Sequence, residues 1–291
     1  AAQPLGSQNC CFSTSCAVLL TLSRMGFEWP DVANPKPLST AITTPKDWQD
    51  EGLLVPHEAL RWWNKELAAI LPEFDPIARP SCTWKTRVLF DFLESYYVPG
   101  VHHHHDSEEK IYNPGIAAKC AEKGVKDPFD TIKKEHEELL AQLAKIITYR
   151  QGIEKQDAAA LKAFKEEVTQ MLKFMEEHLA EEERTYPKAL RECGMTQEED
   201  KALVEQILQS LGLDGNKKLL PVIMYSQCHW KGKDKMLEWY KNVPPPIRML
   251  NDNCWLEDFH QKQLRVLQAL KKEEEFQPEA PGCSVCTCTL M

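Results

Sequence analysis

The run Val101-His102-His103-His104-His105-Asp106-Ser107-Glu108-Glu109 leads four histidines directly into a pair of carboxylates. On an α-helix, residues i and i+4 stand one above the other. His104 and Glu108 can therefore direct an imidazole nitrogen and a carboxylate oxygen at one point. The spacing recurs in Glu177-His178-Leu179-Ala180-Glu181-Glu182, where His178 and Glu182 form the same pair. Each copy is followed by a proline, Pro114 and Pro187. Two more histidines lie in helical patterns of their own. His57 falls in Pro56-His57-Glu58-Ala59-Leu60-Arg61-Trp62-Trp63, and His136 in Lys134-Glu135-His136-Glu137-Glu138-Leu139-Leu140. A tag or a solvated surface cluster would explain the histidine run by itself, but not the in-register glutamates or the second copy downstream.

Apolar periodicity places these residues on four helices. Helix A is expected over about 55–71, with Leu60, Trp63, Leu67 and Leu71 as its stripe and His57 at the upstream end. Helix B covers about 84–119, with a kink or break at Pro99-Gly100. Asp127-Pro128 reads as an N-cap with proline at the first helical position, opening helix C to about 150, where Gly152 stops it. Its Ile132, His136, Leu139, Leu143 and Ile147 share one face. Helix D runs over about 157–183, and His178 extends the stripe made by Leu161, Phe164, Val168, Met171 and Met175. Long amphipathic helices joined by short loops pack most simply as an antiparallel bundle.

The expected organisation is therefore all-α. Residues 1–50, rich in Pro, Ser and Thr, form an irregular tail; 51–195 form the four-helix bundle; 196–275 form a helical extension packed on it; 276–291 form a Cys-rich flexible tail. Within the extension, Thr196-Gln197-Glu198-Glu199 is a capping-box start for a helix ending near Gly212, and further helices are expected over 233–241 and 255–272. Trp230, Trp239 and Trp255 supply the apolar area for docking.

The chain has 291 residues, 43% of them hydrophobic, enough for a sizeable core. A formal charge of −9 argues against nucleic-acid binding, which needs a basic surface. The 11 cysteines show no zinc-finger spacing and suggest reduced thiols, so the expected compartment is the cytoplasm. No apolar run approaches the ~20 residues of a membrane span, and no signal peptide is recognisable. The chain opens at Ala1 without a methionine, so its natural N-terminus is expected to be missing or altered.

His57, His104, Glu108, His136, His178 and Glu182 would bring four nitrogens and two carboxylates together inside the bundle. Carboxylates can bridge two cations and offset their repulsion, while imidazoles favour iron, copper or zinc over magnesium or calcium. Two non-haem iron ions are the first choice. The set lacks cysteine, which disfavours a structural zinc site, and lacks the His-Glu-x-x-His or Glu-x-x-His pattern of zincins and ferritin-like oxygenases. No catalytic residue is assigned. The competing readings are a metal-free helical scaffold and an iron-dependent oxidase or peroxide scavenger.

These residues resemble the hemerythrin-like, or HHE cation-binding, family over about 55–190. The resemblance rests on His57 followed by Leu60-Arg61, on His104-x3-Glu108-Glu109 ending in Pro114, on Glu135-His136, and on His178-x3-Glu182 before Tyr186-Pro187. It implies a four-helix bundle with a carboxylate-bridged di-iron centre. Two features depart from the oxygen carriers of that family, which have His-x3-His on helix C and His-x4-Asp on the last helix. Here Leu140 stands four residues after His136, and Glu182 or Glu183 follows His178. His105-x3-Glu109 also matches the spacing of His104-x3-Glu108. Losing a nitrogen at Leu140 points to iron or oxygen sensing or redox handling rather than reversible oxygen carriage.

The C-terminal Cys288-Thr289-Leu290-Met291 fits a prenylation pattern whose methionine favours farnesyl, with Cys283 and Cys286 available for a second lipid and 277–285 as a tether. The alternative is a cysteine-rich tail without a lipid.

Overall fold

The computed structural model describes residues 28–272. Residues 1–27 of the expected tail, the 277–285 tether and the lipidation pattern at Cys288 lie outside the described residues. All regular structure among the described residues is helical.

Helix α1 (Trp48–Ile70) starts ahead of the expected position 55, because the Asp47 carboxylate accepts the N–H of Asp50 and caps it. Pro56 is carried inside the helix. The expected helix B is a continuous helical path of α2 (Trp84–Phe92), α3 (Val98–Ser107) and α4 (Asn113–Glu122), joined by π-helical turns at Leu93–Tyr97 and Glu108–Tyr112. Pro99 does not interrupt it. A proline ring crowds the carbonyl one turn back and offers no N–H. Just before each proline, the N–H of Val98 reaches back to Leu93 and that of Asn113 to Glu108, so a widened turn precedes Pro99 and Pro114.

Helix α5 (Asp130–Thr148) begins later than expected, since Asp127 Oδ1 accepts the Phe129 N–H at 2.9 Å and forms a turn instead of the helix cap. Gly152 lies within α6 (Arg150–Glu154) and does not end a helix. Gln156, with φ 64°, makes the reversal into α7. Helix α7 (Ala158–Glu192) is capped by Asp157 and runs past the expected 183, through Pro187.

The predicted capping box is present at the start of α8 (Gln197–Ser210). Helix α9 (Gly212–Trp230) has no counterpart in the sequence reading, because its internal Pro221 resembles a stop signal. Helices α10 (Lys233–Tyr240), α11 (Pro245–Leu250), α12 (Leu256–Phe259) and α13 (Arg265–Leu270) complete the described chain.

Two apolar clusters sandwich a polar layer. One contains Leu60, Val101, Leu139 and Met175, and the other Leu53, Ile116, Ile132 and Tyr186. Going up the numbering, α1 and α5 pass from the second cluster to the first, whereas α3–α4 and α7 pass from the first to the second. Successive helices thus alternate in direction, and all four cross the intervening layer at their histidines.

The segment 28–47 is irregular but not loose. Trp29 and Ile42 are buried, and the Glu58 carboxylate accepts the N–H groups of Leu38 and Ser39 at 2.7 and 2.9 Å. The later helices contact the first four at several points. Trp62 packs on Tyr225 with ring centroids 4.9 Å apart, Lys85 Nζ donates to the Leu270 carbonyl at 2.9 Å, and Lys271 pairs with Glu66 at 2.6 Å. Among the described residues, the cysteines are free thiols and no helix is long and apolar enough to cross a membrane.

Gly100 sits one turn before the histidine ligand candidates, where a Cβ would lie 2.6 Å from Trp63 Cζ3. Trp63 is fully buried and cannot swing away. Gly100→Ala is therefore expected to destabilise the protein by about 1–3 kcal/mol through overpacking, read as a lower urea midpoint with an unchanged slope.

Candidate metal centre

The polar layer gathers every histidine and glutamate that the spacing selected. His57 comes from α1, His104 from α3, Glu108 from the π turn that follows it, His136 from α5, and His178 and Glu182 from α7. All are buried, His57 and Glu182 completely. The structure adds His105, also fully buried. The donor atoms form two sets, each within 4.8 Å: His57, His104, Glu108 and Glu182 in one, and His105, His136 and His178 in the other.

Two carboxylates lie between the sets. Glu182 Oε2 is 3.3 Å from His57 Nε2, while its Oε1 is 3.0 Å from His136 Nε2 and 3.3 Å from His178 Nε2. Glu108 Oε1 lies 3.4 Å from His104 Nε2 and its Oε2 lies 3.6 Å from His136 Nε2. Each carboxylate thus offers one oxygen to each set. Glu182, rather than Glu183, is central, and Glu108, rather than Glu109, faces the layer.

Glu183, Glu109 and Glu135 instead brace the histidines from outside. Glu183 Oε1 is 3.0 Å from His57 Nδ1, Glu109 Oε1 is 2.8 Å from His136 Nδ1, and Glu135 Oε2 is 2.9 Å from His178 Nδ1. A carboxylate on Nδ1 holds the proton there and leaves the Nε2 lone pair facing inward. Glu183 is itself clamped by Arg61, which also pairs with Glu176 at 3.0 Å, and it accepts the Ser39 hydroxyl.

The electrostatics fit a layer that holds positive charge. Burial disfavours a charged His57, but Glu108, Glu182 and Glu183 outweigh it and hold its pKa well above the usual histidine range. Burial acts against His136 too, yet Glu182 and Glu108 hold it up to about 9. At Glu182, burial favours the neutral acid, and His178, His136 and His57 overcome it, keeping the carboxyl well below its usual range. Burial prevails at His104, pushed down to about 4, and at His105, which the neighbouring His104 and His136 lower further.

The residues present fit a metal. The Nε2 atoms of His57, His104 and His178, both ring nitrogens of His105, and Oε2 of Glu108 and Glu182 are buried without a hydrogen-bond partner. Buried polar atoms are almost always paired, so a convergent group of unpaired donors calls for a cation. The hemerythrin HHE cation binding domain family matches the chain over residues 51–190, which span every one of these donors. Residues 51–190 thus resemble a hemerythrin HHE domain. No curated protein and no solved structure matches the chain. The matched family is a cation-binding domain, and the histidine and glutamate clusters of this chain fit that role.

Spacing rules favoured one histidine of the central run and could not show that His104 and His105 both turn inward. His104 meets His57 with ring centroids 5.2 Å apart, while His105 meets His136 at 4.5 Å and His178 at 5.2 Å. His105 thus adds a fifth imidazole to the layer, whereas Leu140 is only half-buried against the core.

Glu182→Gln is expected to abolish metal retention, since a neutral amide cannot share charge between the two sets. Glu183→Gln keeps the donors and loses only their brace, so metal affinity should fall about 10–100-fold. Competition with a chelator of known affinity measures both, and equal losses would remove the distinction between central and bracing carboxylates.

Proposed function

We propose that the HHE domain holds two non-haem iron ions through His57, His104, Glu108, His136, His178 and Glu182, with His105 as a seventh ligand. The observation that carries this reading is the position of Glu108 and Glu182, each with one oxygen toward either set of donors. Two cations a few ångströms apart repel strongly, and bridging carboxylates offset that repulsion. The donor set is imidazole and carboxylate without thiolate, which suits iron better than structural zinc.

Bound iron would supply one-electron exchange with oxygen or related small oxidants. The protein's own part is to orient and to exclude. Glu183, Glu109 and Glu135 fix the tautomers of His57, His136 and His178, while the apolar clusters above and below keep bulk water from the layer. A metal-free scaffold would not bury seven ionisable side chains, six of them with a donor atom unpaired.

The two sets are unequal. Three nitrogens stand on the His105 side and two on the His57 side, each completed by the shared carboxylates. An octahedral ion on the His57 side would keep more than one position for exchangeable ligands. We infer a role in sensing or redox handling of oxygen or iron rather than reversible oxygen carriage.

Iron-supplemented protein is expected to carry about two metal ions per chain, and His105→Ala and His178→Ala to carry less. A wild-type content below about one ion per chain would count against the reading. Metal at a hundred times its dissociation constant should add about 2.7 kcal/mol to stability, and chelation should reverse the gain. The ferrous protein should oxidise in air without a persistent oxygenated form, followed by absorption. A complex that survives repeated deoxygenation would overturn the assignment against carriage.

A further inference from the structure

The HHE domain leaves α8 to α11 without a role, yet these helices enclose a cavity against it. The cavity has a volume of about 690 Å³ and is walled by α1, α3, α8 and α9, with Trp239, Val243 and Ile247 closing one side. Leu53, Leu60, Leu219, Leu220 and Ile223 make most of it apolar. Well-packed interiors leave few voids larger than a water, whereas small-molecule sites occupy roughly 300–1,000 Å³. At the inner wall stand His104 and Glu108, whose Nε2 and Oε2 lack hydrogen-bond partners. The cavity therefore reaches the side of the metal centre with fewer nitrogen donors.

The outer end is open and apolar. Val204, Leu208 and Leu213 line it and are 40%, 39% and 48% exposed. Gly52, also at the wall, has open space where a Cβ would sit. Helix α8 covers this end lightly. Its only buried side chain is Asp200, held by the Tyr112 hydroxyl at 2.7 Å, and glycines with left-handed φ, Gly194 at 67° and Gly212 at 59°, bracket it. Displacing α8 opens no major core.

We propose that this cavity binds a neutral, apolar small molecule of the fatty-alcohol or fatty-aldehyde type, its chain along the leucine walls and its polar end toward His104 and Glu108. The charge of the lining selects the class. Among the described residues no lysine or arginine faces the cavity, while Glu108, Asp200 and Glu205 do. In the metal-free protein a carboxylate or phosphate head would therefore be buried beside acidic groups with no basic side chain to balance it. The binding site itself stands on the cavity, and only the approach to the metal centre rests on the proposed iron site.

Displacement of the neutral dye Nile red, followed by fluorescence, tests it on the full chain, both metal-free and iron-loaded. Saturable one-to-one dye binding is expected, with 1-dodecanol displacing the dye from the metal-free protein at least tenfold more effectively than dodecanoate. Gly52→Trp, which has room for a side chain at the wall, and Ile207→Trp on the inner side of α8 should each weaken displacement at least tenfold while circular dichroism shows unchanged helicity. Either variant suffices if the other fails to fold. In the iron-loaded protein, 1-dodecanol should shift the metal-dependent absorption. Absence of saturable binding, dodecanoate equal to dodecanol in the metal-free protein, or full binding in a folded cavity-filled variant overturns the proposal. Dodecanol binding in a protein that fails to take up iron would uphold the cavity and refute the iron centre, so the two readings fail separately.

Discussion

One constraint governs this molecule: seven ionisable side chains, five imidazoles and two carboxylates, occupy a single buried layer between two apolar clusters. Isolated charges in such a place are costly, and unpaired polar atoms cost nearly as much. Cations between the two carboxylates would offset the cost within the layer, and a ring of outer carboxylates offsets it at the periphery. Arg61 matters for the same reason. Its guanidinium, almost wholly buried, balances Glu183 and Glu58, and Glu58 in turn ties down the backbone at Leu38 and Ser39. The irregular segment before α1 is thereby fixed by the electrostatics of the metal layer as much as by its own Trp29 and Ile42.

The same layer accounts for the unusual path of the second helix. His104, His105 and Glu108 must all meet partners on three other helices, although neighbouring residues on a regular helix point about 100° apart. The π turn at Glu108–Tyr112 begins at one of these ligand candidates and ends just before Pro114. It answers two demands at once, turning Glu108 into the layer and giving the proline ring room without breaking the helix. The turn at Leu93–Tyr97 does the same for Pro99 while keeping Gly100 against Trp63.

The chain is built in two parts with a shared wall. Residues 51–190 carry every donor of the layer, while α8 to α13 lie beyond the matched family domain. They are no separate appendage. Tyr225 and Phe259 stack on Trp62, and Leu270 and Lys271 fasten the end of the chain to Lys85 and Glu66. The matched region thus carries the polar layer, and the added helices wall the cavity that reaches it.

Periodicity alone made much of this legible. The i, i+4 spacing of His104 with Glu108 and of His178 with Glu182, together with His136 on the Leu139–Leu143 face, pointed to the helical class and to five of the gathered donors, because those relations are local to one helix. Glycine and proline were less informative, since Pro56, Pro187 and Pro221 are tolerated inside helices where packing compensates for the lost hydrogen bond. His105 was beyond reach for a different reason. Adjacent residues cannot share one helix face, so its place in the layer depends on α5 and α7 standing on one side of α3 while α1 stands on the other. The choice of Glu182 over Glu183, the bracing by Glu109 and Glu135, and the cavity beneath α8 are likewise relations between helices, and only their packing in three dimensions decided them.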